Sequence, residues 1–355
     1  MKYNISLKGK ALYTFDNGSI LWYHKLHFYI DNRLLCSIPS KKSLKIASRI
    51  RILSRLLRLE PRCATMIDGD LCLVAFLKRL FVVSIEKQKV EHILSNRQAF
   101  GNPLNFCSLR RFGKNEVLWG DYGMNPKLEP INLYKYTVEK GIETVYTFPA
   151  DSIKHVHNIL YDKYRNRFFI FTGDFGDAVG IYVADRDFKE VKPFLTGSET
   201  YRAVIGKVLE NGLLWATDSV MHDNYVYYYP FDGELQKLGA LNGSVIYGTE
   251  AGGGLVISTT VEPYPSKKSK LLSILDNRKA PGVKSGDVDV LFIDKDLQIH
   301  KLAHYKKDIW PMRLCQYGYV SFPQIEDDSI DEIIGNPMAV KGYDGKEVYY
   351  NLRVK

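Results

Sequence analysis

Between residues 155 and 241 the chain spells one unit twice. The first copy reads HVHNILYD, RFFIFTGD, GIYVADRD and EVKPFLTG; the second reads YRAVIGKVLE, GLLWATDS, YVYYYPFD and LQKLGAL. Each segment is a short apolar run rich in aromatic and β-branched residues, closed by Gly, Asp or Ser, which is the pattern of a strand and its turn. A four-strand meander cannot bury both faces alone, so neighbouring copies must stack. Comparable second-strand ends fall at Asp121, Asp174, Asp218 and Glu262, spaced by 53, 44 and 44 residues. Four-stranded units recurring every 40–50 residues or so predict a β-propeller.

The rest of the chain extends the series. ATMID, DLCLVAF, RLFVVSIE and VEHILS form an earlier unit, and PLNFCSLRR, EVLWGDYG, INLYKYTV and IETVYTF form the next. SVIYGTEAG, GLVISTTVE, VDVLFIDKD and LQIHKLAHY follow, interrupted by a Lys/Pro/Gly-rich loop at about 263–286. WPMRLCQY, GYVSFPQ, PMAVKGYD and EVYYNLRV read as a last unit whose final strand closes the ring beside an N-terminal strand. The short runs of residues 11–38 give seven units if they form a blade and six if they do not. The expectation is an all-β chain, one propeller domain over residues 1–355, with six or seven four-stranded blades.

One segment breaks the pattern. Residues 43–59 place Ile46, Ile50, Leu53 and Leu57 at helical spacing, with Lys45, Arg49, Arg51, Arg55 and Arg58 between them. This predicts a basic amphipathic helix inserted near the N-terminus. It either packs its apolar side on the body with a solvated charged face, or offers that face to an anionic membrane or polyanion.

Composition narrows the classes. No apolar run reaches the roughly 20 residues of a membrane span, since Leu71–Ile85 is broken by Lys78 and Arg79. The start, MKYNISLKGKALYTF, lacks the apolar core of a secretory signal. The five cysteines are odd in number and widely spaced, without CxxC, which reads as free thiols in a reducing compartment and predicts a cytoplasmic protein without zinc. A net charge of +9 favours anionic partners. Nucleic acid is disfavoured because basic and aromatic residues follow no RNA- or DNA-binding module, and no P-loop, GxGxxG or HExxH is present, so no cofactor is expected.

In a propeller the strands of each blade run A to D outward from the axis, so the start of A and the end of B open on the same mouth. That register collects chemistry. It holds Asp121; His155 and His157 with Asp174; Tyr201 and Arg202 with Asp218 and, just beyond, His222; and Tyr247 with Glu262. Arg313 and Gln324 are weaker candidates from the last unit. Singly, each Asp reads equally as turn chemistry, the histidines as buried core groups, Arg202 as an ion-pair partner, and the tyrosines as packing. Their recurrence in one register is what argues for a site.

The set TGD, YRAV, ATDS and TTVE on such strands, over roughly residues 100–305, resembles the sialidase-like (BNR-type) propellers. The Asp-box turn of that family is absent, and VADRDFKEV at 183–191 stands in its place. The resemblance implies a sugar-facing mouth. Two function classes follow. One is a carbohydrate-active enzyme acting on an acidic glycan, with Arg202 gripping a carboxylate. As a glycosidase it would use two of Asp174, Asp218 and Glu262; as a polysaccharide lyase it would use His157 with Tyr201 or Tyr247. Asp121, His155 and His222 would help bind substrate. The other class is a non-catalytic propeller that binds a glycan, a protein or a membrane-associated partner.

Overall fold

The computed structural model describes residues 9–95, 102–173, 176, 179–265 and 276–353. Seven sheets surround an axis, each built on a meander of antiparallel strands. Blade 1 comprises Lys10–Thr14, Ile20–His24, His27–Ile30 and Arg33–Ser37, so residues 11–38 do form a blade. Blade 2 runs from Cys63–Met66 to Lys89–Ser95, blade 3 from Cys107–Ser108 to Gly141–Phe148, and blade 4 from His155–Asp162 to Val191–Thr196. Blade 5 spans Ala203–Leu209 to Gln236–Leu241, and blade 6 spans Val245–Ala251 to Ile299–Lys306.

Alternation along these strands sends side chains to both faces, and both faces are covered because each blade has two neighbours. The buried apolar residues accordingly fall into one cluster per blade interface. Phe76 and Phe81 meet Tyr23 and Phe28 between blades 1 and 2, and Phe169, Phe171 and Trp215 join blades 4 and 5. The seam between blades 7 and 1 has a small cluster, built on Ala11, Ile20, Trp22 and Ile334.

That seam differs from the sequence expectation. WPMRLCQY is not a strand; it contains a one-turn helix, Met312–Cys315. Blade 7 has three strands among the described residues, Tyr319–Ser321, Glu332–Met338 and Val348–Asn351. The last of these pairs within blade 7 and does not close the ring. Closure comes from inside. Gln324–Ile325 pairs in parallel with the innermost strand of blade 1. The Asn336 amide accepts from Ala11 N at 2.8 Å and donates to Ala11 O at 3.0 Å, satisfying a backbone unit across the seam.

The basic segment also differs. It forms two helices, α1 (Lys42–Arg49) and α2 (Arg51–Leu56), broken at Ile50, whose backbone is extended. The break shifts the helical phase. Arg51 and Arg55, an i,i+4 pair, turn inward. Arg51 binds Glu60 and Asp344, and Arg55, 3% exposed, binds Asp308 and the Cys315 carbonyl. The helix pair therefore clamps the blade 6–7 connection and blade 7 to the chain entering blade 2. Ile46, Ile50 and Leu57, expected to face the body, stand exposed instead.

The 263–286 insertion leaves blade 6 between its second and third strands. Residues 266–275 lie outside the described residues; the flanks pair as Pro263 with Lys279, and Arg313 donates to the Tyr264 carbonyl.

Candidate functional site

A cavity of about 170 Å³ lies in the channel and touches the inner strands of all seven blades, with Arg62 and Tyr247 lining it toward the mouth. The two ends of the channel differ. At the lower end, residues 323–330, the connection from strand A to strand B of blade 7, cross the axis. Gln324 donates to the Phe106 carbonyl of blade 3 at 2.6 Å, and the amides of Gly252 and Gly253 in blade 6 donate to the carbonyls of Ile330 and Asp328. Around them Arg110 pairs with Glu326, Arg111 with Glu250, and Lys207 with Asp328 and Glu250. The lower end is a floor of matched charges, and Gln324 belongs to it and not to the mouth.

The upper end is assembled from the starts of the inner strands. His155 and His157 alternate on one strand and face the same way. His155 Nδ1 meets the Gly123 carbonyl at 2.8 Å, and His157 Nδ1 meets the Ala203 carbonyl at 2.9 Å. Carbonyls only accept, so both Nδ1 atoms carry hydrogen. The two Nε2 atoms lie 3.0 Å apart. Two lone pairs at that distance repel, so the contact is a hydrogen bond only when one Nε2 is protonated. Burial, with His155 and Arg202 beside it, pushes His157 far below the ordinary histidine range. The His157 ring is therefore the one that favours the neutral form in this pair. The TGD glycine makes room for them, since a Cβ on Gly173 would lie 2.1 Å from His157 Nε2.

Arg202, 5% exposed, immediately precedes the inner strand of blade 5, with Asp218 and Glu199 each 3.7 Å away. The amide of Asp218 donates to the Arg202 carbonyl, and Thr260 makes the same bond to Ser244 in blade 6. Thr260, not Glu262, is thus the counterpart of Asp218. Glu262 follows two residues later, and its carboxylate accepts from Ser244 Oγ and from Thr260 Oγ1. Burial raises its pKa; the hydrogen bond from Ser244 and the charge of Arg202 oppose that only in part.

Three other candidates do not join this group. Asp121 turns into its own blade, accepting from the Asn132 amide at 2.9 Å and the Tyr134 hydroxyl at 3.4 Å, and burial pushes its pKa up to about 6. Tyr201 packs on Trp215 with ring centroids 6.4 Å apart, as core between blades 4 and 5. His222 stands exposed in a loop of blade 5. Asp174 lies outside the described residues.

Tyr247 does reach the channel, where it stacks on Tyr319 at 4.1 Å, and Tyr317 packs on Tyr319 at 5.7 Å. The residues that sequence reasoning missed are these two tyrosines, Tyr122 and Arg62. Arg62 lies within the ring, yet its side chain is exposed because it lines the cavity. Its guanidinium sits 5.0 Å above the ring of Tyr122, which in turn packs on His155 at 4.8 Å. The nearest acid in sequence, Glu60, is held by Arg51. One signal pointed to Arg62: it directly precedes the inner strand of blade 2, as Arg202 does in blade 5.

These features define a seven-bladed β-propeller with one floored end and one cationic, tyrosine-lined end. No protein-family model and no curated protein sequence matches the chain. Among solved structures it is similar to a chain in the crystal structure of the mitotic checkpoint complex, at 9% identity and a TM-score of 0.52, covering 98% of this chain and 90% of that one. It is also similar to the WD40 β-propeller domain of Doa1, at 10% identity and a TM-score of 0.51, covering 98% and 92%. At such identities the likeness shows the fold alone. Among the described residues no helix is long and apolar enough to cross a membrane.

Proposed function

We propose that this is a binding propeller whose upper mouth takes an anionic ligand, with an acidic glycan as the ligand class. The observation that carries the reading is Arg62: a permanent charge open to the channel, held against Tyr122, with the acid beside it in sequence engaged elsewhere. Sugars pack on aromatic faces, and an arginine fork grips a carboxylate with two hydrogen bonds. The tyrosines around Arg62 supply those faces. The other charged groups of the mouth are largely turned on one another, which suits recognition more than turnover.

One observation favours a second, catalytic reading. Glu262 is buried, shifted toward its neutral form and close to Arg202, as a general acid needs. In a glycosidase it would protonate the leaving oxygen. In a lyase a base takes the proton on the carbon next to the uronate carboxylate, the carbon–oxygen bond to the leaving sugar breaks, and a double bond forms between the two ring carbons. His157 suits that base role less well, because its Nε2 already lies 3.0 Å from Nε2 of His155.

A titration calorimetry panel of uronate-containing, sialylated and neutral oligosaccharides tests both readings, with assays for new reducing ends and unsaturated products on the same mixtures. Binding confined to acidic sugars, lost in Arg62→Leu and with no new product, is the expected result. Product formation abolished by Glu262→Gln moves the protein to the enzyme class. Equal binding of acidic and neutral sugars, or full binding by Arg62→Leu, overturns the role of Arg62.

A further inference from the structure

The phase shift at Ile50 leaves an unexpected surface. With Arg55 buried and Arg51 half-exposed, both held in ion pairs, the outward side of α1 and α2 carries Ile46, 61% exposed, Ile50, Leu56 and Leu57. Exposed beside these apolar groups are Lys41, Lys42, Lys45, Arg49 and Arg58. No acidic residue occurs from 39 to 59. The clamp that fixes the helices also fixes their flank. Asp308, the partner of Arg55, accepts from the amide of Trp310, and the Ile309–Trp310 pair is exposed beside it, Ile309 at 91%.

We propose that this surface docks on an anionic lipid bilayer. A protein partner that covered four exposed aliphatic side chains would also have to neutralise five surrounding cations. A bilayer with acidic headgroups meets both needs in one geometry, with apolar tips entering the headgroup–acyl boundary and cations resting at phosphate level. An exposed tryptophan at the edge suits the same boundary. The helices are short, but the ring holds them in place, so docking does not require them to fold on the membrane. Both helices lie on the channel-mouth side of the ring, since they join the outer strand of blade 1 to the start of the inner strand of blade 2. Docking would therefore turn the mouth toward the lipid surface.

The test is co-sedimentation of the full chain with phosphatidylcholine vesicles, with and without phosphatidylserine, at low and high salt. The expected result is binding that needs phosphatidylserine and falls with salt. Lys45→Glu with Arg49→Glu should weaken it by at least ~25-fold, since each basic residue near an anionic surface contributes roughly a factor of five. Ile46→Asn with Leu57→Asn should weaken it at unchanged charge; both sites are exposed, so the fold is kept. Brominated lipid gives an independent readout. Trp22, Trp119 and Trp215 are at most 2% exposed and Trp310 is 48% exposed, so quenching reports Trp310. Failure of the folded protein to bind phosphatidylserine vesicles overturns the proposal. So does a concentration-dependent dimer abolished by Ile46→Asn with Leu57→Asn, which would assign the surface to a second copy of the chain.

Discussion

The two ends of the channel are made from the same seven inner strands and have opposite characters. At the lower end every charged group named above has an opposite charge, and a segment of blade 7 lies across the axis, hydrogen-bonded to blades 1, 3 and 6. At the upper end compensation is incomplete. Glu262 is pushed toward its neutral form, His157 is held unprotonated, and Arg62 opens on the cavity. Matched charges fasten the ring; imperfectly matched ones are where a ligand has something to add. The contrast places stability at the floor and recognition at the mouth, and it can be attacked from either side.

The largest expected effect is at the floor. Arg111→Ala combined with Lys207→Ala leaves Glu250 half-buried without either cation. Stranding a carboxylate in this way should cost about 3 kcal/mol, read as a fall in the urea midpoint at unchanged slope. Ligand binding at the mouth of the folded variant should not change. A loss of affinity without a loss of stability would reverse the assignment of the two ends.

An effect of similar size but opposite sign is expected at Asp121. Its folded pKa of about 6 lies above the ordinary carboxyl value of 3.8. The folded state therefore binds the proton more tightly than the unfolded state. The stabilisation from this group is fully present below pH 3.8 and is lost as pH rises through about 6. Asp121→Asn keeps an acceptor for the Asn132 amide and carries no charge. It should stabilise the protein by up to about 3 kcal/mol at pH 8 and by nothing at pH 3.5–4. Thermal melts at the two pH values check this, and equal shifts at both would mean the carboxyl is not held neutral by burial. The neighbouring His157 works in the other direction. Its lowered pKa gives stability above the ordinary histidine value of 6.5 that is lost as pH falls below it, so between pH 3.8 and about 6 the two groups pull the wild-type profile in opposite directions.

What the sequence disclosed follows from what is local. Strands in blades 2 to 6 were legible because alternation and turns are written within each four-residue to eight-residue segment, and TGD, ATDS and WGD mark the true ends of second strands. Blade 7 was misread because WPMRLCQY is apolar enough for a strand, and only its contacts with α2 and the insertion make it a turn of helix. The helix phase was misread for a related reason. Periodicity assigns the apolar side inward by default, whereas here Asp308, Asp344 and Glu60, each far from or outside the helical pattern, recruit the arginines. Register placed His155, His157, Arg202, Asp218 and Tyr247 at the mouth, whereas Glu262 was assigned two residues out of register, at the place that Thr260 holds. Asp121 was found but is spent on its own blade. Tyr317 and Tyr319 could not be found, because the blade 7 strand register was wrong.

The smallest expected stability effect is at Arg62, and it is the sharpest test of the contrast. Among the described residues no carboxylate pairs with Arg62, and its side chain borders a void. Arg62→Leu removes a cation–π contact with Tyr122 and keeps an apolar stem against that ring. The change in unfolding free energy should stay within about 1 kcal/mol. Arg62→Lys should keep the stability and the charge but lose the planar fork, so a ligand gripped through a carboxylate would bind weakly to Lys and not at all to Leu. The ordering arginine, lysine, leucine in affinity, at nearly constant stability, is the signature of a recognition cation. If Arg62→Leu instead unfolds the protein, the guanidinium is a structural brace and the two ends of the channel do not differ in kind.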